Sequence, residues 1–205
     1  PKEFGTDKPM IALTRLGLIE NGGMTNAAVV LFGKNPERYY PQCLLKLARF
    51  RGTTKDEFTD NKQVSGNIFD LLNAGLAFAN LHLPIASTFP EGEIQRKDTP
   101  FFPIDALREA FVNAFAHRCY SRIGGSVTFA IFDDRLEFWN IGLLPEDLSV
   151  DTLASHDRSV PRNQKIANVL YYHKLFESWG RGVRMITQLC AVSYTHLRAH
   201  ETTDN

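Results

Sequence analysis

The sequence contains few cysteines, no long apolar run and no excess of charge of either sign. Its three cysteines, Cys43, Cys119 and Cys190, lie far apart and form no CxxC pair. This spacing argues against a structural zinc site and a disulfide framework, and it favours a reducing cytoplasm. No run of about 18 apolar residues occurs, so no membrane-spanning segment is expected. Basic and acidic residues each total 23, so any contact with DNA would need a local patch or another part of the protein.

The composition is that of an ordinary globular protein. Hydrophobic residues make up 43% of the 205 residues, and the 15 phenylalanines predict a well-filled core. This length suits one large domain or two small ones. The chain begins with Pro1 and shows no signal-peptide pattern, so we expect an internal fragment of a longer protein.

Periodicity and turn residues predict several elements in the first hundred residues. Thr25 is a candidate N-cap for a short helix, although the β-branched residues that follow it also permit a strand. Residues 44–50 alternate as a strand does, and the polar, charged residues 52–63 suggest a loop. The apolar spacing over 65–82 predicts an amphipathic helix, and the proline-rich residues 84–103 suggest a linker or edge strand.

A second helix is predicted from Asp105 to about Cys119, with Asp105 as its N-cap. Almost every residue between Ala106 and Ala116 is apolar, which indicates that the helix is buried on most sides. The other predicted elements are hairpin strands at 126–132 and 135–140, a helix near 161–176 and a last helix at 183–190.

One stripe of this second helix carries polar side chains. Glu109, Asn113 and His117 lie at i, i+4 and i+8, and therefore on one face. A buried carboxylate and amide need partners. These partners could be each other, in a structural hydrogen-bond network, or a bound ion with its ligand.

Three motifs together resemble the GHKL family of ATP-binding domains. They are Glu109-x-x-x-Asn113 on a helix, the strand end Trp139-Asn-Ile-Gly-Leu-Leu-Pro-Glu-Asp147, and Gly180-Arg-Gly182 before a helix. In that family they correspond in order to the N box, the G1 box and the G2 box. Gly-x-Gly alone is common by chance, but three motifs in order at compatible spacing are specific.

The chain more closely resembles the RecG-related, Schlafen AlbA-associated ATP-binding proteins. The stretches that carry this resemblance are Met24–Pro36, Ala106–Arg118, Arg158–Asn163 and Trp179–Gly182. The resemblance covers most of residues 10–190. It implies an ATP-binding module of a cytoplasmic transcriptional regulator, whose DNA contact would come only from an AlbA-type N-terminal domain that is missing here. The resemblance is also compatible with a homodimer.

The resemblance also implies roles for single residues in binding ATP and Mg²⁺. Glu109 would orient or deprotonate the water that attacks the γ-phosphate, which makes the chain a candidate Mg-dependent ATPase. Asn113 would be the ligand to Mg²⁺, and His117 would lie near the ribose or phosphates, although a satisfied helix-end histidine is an equal reading. Asn140 would accept a hydrogen bond from the adenine amino group, and Gly142 would let the base approach the backbone.

The phosphate contacts implied by the resemblance lie further along the chain. Gly180 and Gly182 would let the backbone approach the phosphates at the start of the last helix. Arg158 and Arg162 would be phosphate contacts within a lid over residues 143–176.

Two residues depart from the family pattern. Asn140 stands where the family usually has Asp, and its side-chain oxygen accepts a hydrogen bond without charge. Leu144 stands where a second G1 glycine often falls. The sequence therefore favours ATP binding over fast hydrolysis. The alternative is a degenerate GHKL fold that binds no nucleotide and acts as a protein-interaction scaffold.

The expected fold is an α/β two-layer sandwich with helices on a mixed sheet. The GHKL-type domain would occupy residues 100–190, with a smaller α/β region at 1–99. Residues 191–205 are expected to be non-native, because Val192–Thr202 resembles, letter by letter, the in-frame translation of a transposase-based sequencing adapter. The pair His196 and His200 would otherwise suggest a metal site at helical spacing.

Overall fold

Helices on one face of a mixed sheet form the centre of the molecule, as the sequence predicts. The structure is a computed structural model, and it describes residues 8–88, 94–95, 97–100, 102–142, 161–173, 175 and 185–189. Among these residues, none of the helices combines the length and the apolar character that a membrane crossing requires.

The helices and strands follow one another in a mixed order. The helices are α1 Pro9–Arg15, α2 Asn26–Phe32, α3 Ile68–His82, α4 Ile104–His117 and α5 Gln164–Tyr172, with a 3₁₀ turn at Pro36–Arg38 and a short helical segment at 185–189. The strands are β1 Ile19–Glu20, β2 Gly23–Met24, β3 Leu44–Phe50, β4 Phe58–Ser65, β5 Ile85–Thr88, β6 Lys97–Pro100, β7 Val127–Ile131 and β8 Leu136–Trp139.

Within the described residues, the main sheet has four strands in the order β4-β3-β7-β8. β3 pairs with β7 in parallel, and the two outer pairings are antiparallel. Two of these strands come from residues 1–99 and two from residues 100–190, so both regions contribute to one sheet. β5 and β6 form a separate antiparallel pair within the stretch that was expected to be a linker or edge strand.

The predicted loop over residues 52–63 is partly wrong, because β4 begins at Phe58. The strand is polar because it lies at the edge of the sheet, and none of its residues is buried. An edge strand of this kind lacks the apolar alternation that marks a strand in a sequence. Its antiparallel register with β3 identifies it instead.

The helix starts follow from capping residues. The Thr25 hydroxyl accepts a hydrogen bond from the Ala28 backbone N–H at 3.4 Å, so the segment after it is a helix rather than a strand. Asn67 caps α3, which begins three residues later than predicted. The N-cap predicted at Asp105 is wrong, because Pro103 occupies the N-cap position of α4 and Asp105 lies in its first turn.

The core lies between α3, α4 and one face of the sheet. The inward residues of the two central strands, among them Leu45, Leu47 and Phe129, are buried there. Gly75 of α3 packs against Phe111 of α4 so closely that a Cβ on the glycine would lie 2.5 Å from the phenylalanine ring. The two helices therefore approach at a point where a larger side chain would not fit.

The opposite side of the sheet, which we call the open face, carries a separate and smaller apolar cluster. It contains no helical residue and consists of Ala48, Phe50, Ala130 and Phe132, with Trp139 packed against them. Alternation along the strands points these side chains away from α3 and α4.

Candidate nucleotide site on helix α4

Glu109 and Asn113 form a partly buried polar pair on α4. Glu109 is only 3% exposed, and Asn113 Nδ2 donates a hydrogen bond to Glu109 Oε1 at 3.1 Å. The amide thus lies with its NH₂ group towards Glu109, which is the arrangement that a carboxylate oxygen accepts. The side-chain oxygen of Asn113 consequently faces away from Glu109 and is the end that could bind a cation.

His117 occupies the last residue of α4, one further turn along the same stripe. Burial lowers the pKa of His117, and the positive charge of Arg162 lowers it further. The imidazole is therefore neutral at pH 7. The interaction also places Arg162, which is solvent-exposed, in the neighbourhood of the predicted site.

Asn140 contacts α4 from the end of β8. Its Nδ2 donates a hydrogen bond to the Ala114 carbonyl oxygen at 2.9 Å. Because a carbonyl only accepts, the contact fixes the orientation of the amide and leaves Oδ1 as the acceptor end. An aspartate here would place a carboxylate oxygen against the Ala114 carbonyl oxygen, and two acceptors form no hydrogen bond. This gives a physical reason for the departure from the family pattern.

A glycine is required at position 142 because the segment after β8 lies close to the end of α4. A Cβ at this position would lie 2.9 Å from the His117 carbonyl oxygen, which is backbone and cannot move aside cheaply. The neighbouring Ile141 carbonyl accepts a hydrogen bond from the Cys119 N–H at 2.6 Å. The G1-like segment thus packs directly on the C-terminal end of α4.

Asn163 is a site residue to which the sequence analysis assigned no role. Its Nδ2 donates to the carbonyl oxygens of Ala116 at 2.9 Å and Arg118 at 2.7 Å, and its backbone N–H also donates to Ala116. Together with Asn140 it satisfies carbonyl groups at the end of α4 that have no partner within the helix. The stretch Arg158–Asn163 carried the resemblance, but its spacing alone does not show which backbone groups Asn163 meets.

Arg118 is a second residue that sequence reasoning missed. It is 1% exposed, and its guanidinium donates to the carbonyl oxygens of Gln42 at 2.6 Å and Gly125 at 3.0 Å. The guanidinium also lies 4.9 Å from the centre of the Tyr120 ring. It therefore ties Gln42, two residues before β3, to the loop between α4 and β7.

The structure brings six of the predicted site residues together along α4 and around its C-terminal end. They are Glu109, Asn113, His117, Asn140, Gly142 and Arg162. The other three, Arg158, Gly180 and Gly182, lie outside the described residues. Within the described part of the chain, no group of three or more His, Cys, Asp or Glu side chains could hold a metal ion.

The C-terminal part of the chain matches a known protein family. The model described as "Putative ATP-dependent DNA helicase recG C-terminal" matches residues 124–204. The match spans less than half of the chain, so it shows a similarity of this part alone. The match begins after α4 and runs through the tail that was expected to be non-native, so it includes β7, β8 and α5 but not the polar stripe of α4.

A solved structure shares the fold over most of the chain. It is the crystal structure of the DIP2311 protein from Corynebacterium diphtheriae, with a TM-score of 0.75 and 19% sequence identity. The alignment covers 92% of this chain but 37% of DIP2311, so this chain spans little more than a third of that protein. At this identity the likeness concerns the fold alone. No curated protein sequence matches the chain.

Proposed function

We propose that this chain binds ATP with Mg²⁺ through the polar stripe of α4 and the end of β8, and that binding rather than fast hydrolysis is its main activity. The observation that carries the proposal is the pair of oriented amides, Asn113 and Asn140. Each directs its NH₂ group at a fixed acceptor and keeps its oxygen for another partner. The ATPase-like family match supports the same reading.

Asn140 would recognise the base. Its Oδ1 can accept a hydrogen bond from the 6-amino group of adenine, whereas the 6-oxo group of guanine offers no hydrogen there. The amide carries no charge, so this contact contributes less than a carboxylate would. We therefore expect a preference for ATP over GTP, with modest affinity.

Asn113 fits a magnesium ligand in this site. Mg²⁺ prefers oxygen donors and is commonly held by one or two protein groups together with substrate phosphates, which agrees with a single outward amide oxygen. When bound, the ion would neutralise charge on the phosphates. Glu109 would hold the attacking water, and its burial beside Asn113 restricts where that water could sit.

Four other residues complete the proposed site. Arg162, and with it Arg158, would contact the phosphates as charged donors. Gly180 and Gly182 would let the backbone of the G2-like segment approach them closely. In this proposal the module serves a cytoplasmic transcriptional regulator, in which a separate AlbA-type domain supplies the DNA contact and two copies of the chain can associate.

Titration calorimetry of ATP into the chain, with and without Mg²⁺, tests the proposal. Asn113→Ala should lose the Mg²⁺-dependent part of the affinity and keep the rest. Asn73→Ala, an exposed substitution of the same type on α3, should bind as the unchanged protein does. If the folded chain binds none of ATP, ADP and GTP, the proposal fails and the interaction scaffold replaces it.

Hydrolysis is tested separately with Glu109→Gln. The glutamine keeps an acceptor for Asn113 but cannot take a proton from water. ATP binding should persist, while any phosphate release should fall to the uncatalysed level. Unchanged phosphate release would remove Glu109 from the proposed role.

A further inference from the structure

The open face contains a shallow groove away from the proposed nucleotide site. Its volume is about 440 Å³, which is within the range of ligand pockets. Its floor includes Ala48 and Ala130, which lie side by side on the two central strands. These small residues leave the space, because a larger side chain at either position would fill it.

Aromatic rings border this groove. Phe58 of β4 and Trp139 of β8 line it from the two edge strands, and Phe58 is 52% exposed. Phe50 also lines it and stacks on Phe132, with the ring centres 4.8 Å apart. The groove therefore presents ring surfaces near solvent above an alanine floor.

The lysines whose side chains belong to the groove are Lys46 and Lys55. Lys62 also borders it, but Lys62 pairs with the core residue Leu47 and therefore points to the helix side of the sheet. None of the lining residues is acidic, and Lys55 Nζ lies 3.8 Å from Glu137 Oε2 on β8. The remaining polar lining comes from Asn61, Gln63 and Thr128. In a chain with zero net charge, these two ammonium groups beside the rings are the positive charges that could contact a polyanion.

The loop that carries Lys55 is held in place over the sheet. Asp133 accepts a hydrogen bond from the Gly52 N–H at 2.7 Å and donates its own N–H to the Gly52 carbonyl at 3.0 Å. Arg135 donates to the Thr53 carbonyl at 3.0 Å. Lys55 consequently lies with its ammonium 4.1 Å from the centre of the Trp139 ring.

We propose that the open-face groove binds single-stranded nucleic acid. Unpaired bases can stack on Phe58 and Trp139, and lysines can contact the phosphates between them. A base that stacks on Trp139 would displace the Lys55 ammonium from the ring and release it towards the backbone phosphate. A duplex keeps its base faces covered, and an acidic peptide offers charge without a regular series of rings, so neither matches both features of the groove.

Fluorescence anisotropy of a fluorescein-labelled oligothymidylate, titrated with the 205-residue chain at several salt concentrations, tests the electrostatic part. Each phosphate contact on a single strand contributes about 0.7 to the slope of log affinity against log salt. Lys46→Gln and Lys55→Gln should each reduce the slope by about 0.7. Lys34→Gln, an exposed lysine at the end of α2, is the matched control and should leave it unchanged.

The stacking part needs a variant that keeps the fold. Phe58→Leu preserves an apolar side chain but removes the ring, and it should weaken binding by about tenfold. Tyr39→Leu, at a tyrosine that is 75% exposed but does not line the groove, should have no effect. In a Trp179→Phe background, Trp139 is the remaining tryptophan, and its fluorescence should be quenched when the oligonucleotide binds.

Four outcomes would overturn the proposal. One is an affinity for duplex DNA at least equal to that for the single strand, and another is displacement by polyglutamate with no loss of affinity in Phe58→Leu. The third is the absence of binding at 50 mM salt, where lysine–phosphate contacts are weakly screened. Displacement of the oligonucleotide by excess ATP with Mg²⁺ would assign its binding to the α4 site instead.

Discussion

Asn140 shows how one hydrogen bond selects a residue type. Its NH₂ group donates to the Ala114 carbonyl of α4, a contact that a carboxylate cannot make. Asn140→Asp should therefore lower the free energy of unfolding by about 1–3 kcal/mol, because a carboxylate oxygen would face the Ala114 carbonyl oxygen in place of the hydrogen-bond donor. Urea unfolding measures this value.

Asn140→Ala is the control for that substitution. It removes the hydrogen bond without placing two acceptors together, so its stability should lie between those of the unchanged protein and Asn140→Asp. An Asn140→Asp variant as stable as the unchanged protein would show that the Ala114 contact does not select asparagine.

His117 should make stability depend on pH. Folding lowers the pKa of His117 from its ordinary value of 6.5, chiefly through burial. As the pH falls through 6.5, the unfolded chain gains a proton that the folded chain does not bind, so stability decreases until the folded pKa is reached. The unfolding free energy of the unchanged protein, minus that of His117→Gln, should therefore decrease from pH 7.5 to pH 5.5. A difference that stays constant would contradict the assignment.

At the scale of elements, the contact between α3 and α4 depends on a glycine. Gly75 lies in the interior of α3, where alanine would ordinarily be favoured by about 0.8–1.0 kcal/mol. Its added Cβ would meet the Phe111 ring at 2.5 Å. We expect Gly75→Ala to destabilise the fold by about 1–3 kcal/mol, because the two helices would have to separate. Thermal melting followed by circular dichroism measures the loss.

Asn73→Ala provides the comparison on the same helix. Asn73 is exposed, so the substitution gains helix propensity without a steric cost. A melting temperature that rises in both variants would mean that the helices have room at Gly75.

The helices and strands differ in how far nearby residues of the sequence determine them. Thr25 caps α2 through its own hydroxyl. The apolar residues of α3 and α4 recur at helical spacing along the side that each helix buries. These features depend on residues within one or two turns and were predicted. β4 has no such local signal, because an exposed edge strand needs only a partner strand and not an apolar face.

At the scale of the whole molecule, Arg118 joins segments that are 76 residues apart. Arg118→Met would leave the carbonyl oxygens of Gln42 and Gly125 buried without their donors. We expect the free energy of unfolding to fall by about 2–5 kcal/mol because two buried acceptors lose their donor. Urea unfolding would show this as a lower midpoint concentration. Arg38→Met, at an exposed arginine, should change the midpoint little.

The sequence by itself determined the parts of this protein that depend on near neighbours along the chain. The i, i+4 spacing placed Glu109 and Asn113 on one stripe of α4, and the hairpin predicted over 126–132 and 135–140 is formed by β7 and β8. The mixed sheet class was expected from the resemblance to the GHKL family, and the structure has it. The resemblance also led to Asn140 as a site residue, although it did not supply the direction of its amide.

Only the tertiary structure decided which distant groups meet. The parallel pairing of β3 with β7, the carbonyl partners of Asn140, Asn163 and Arg118, and the groove above Ala48 and Ala130 all join segments far apart in the chain. A hydrogen bond or a ring contact of this kind depends on distance in space, and no periodicity or capping residue within one segment encodes it.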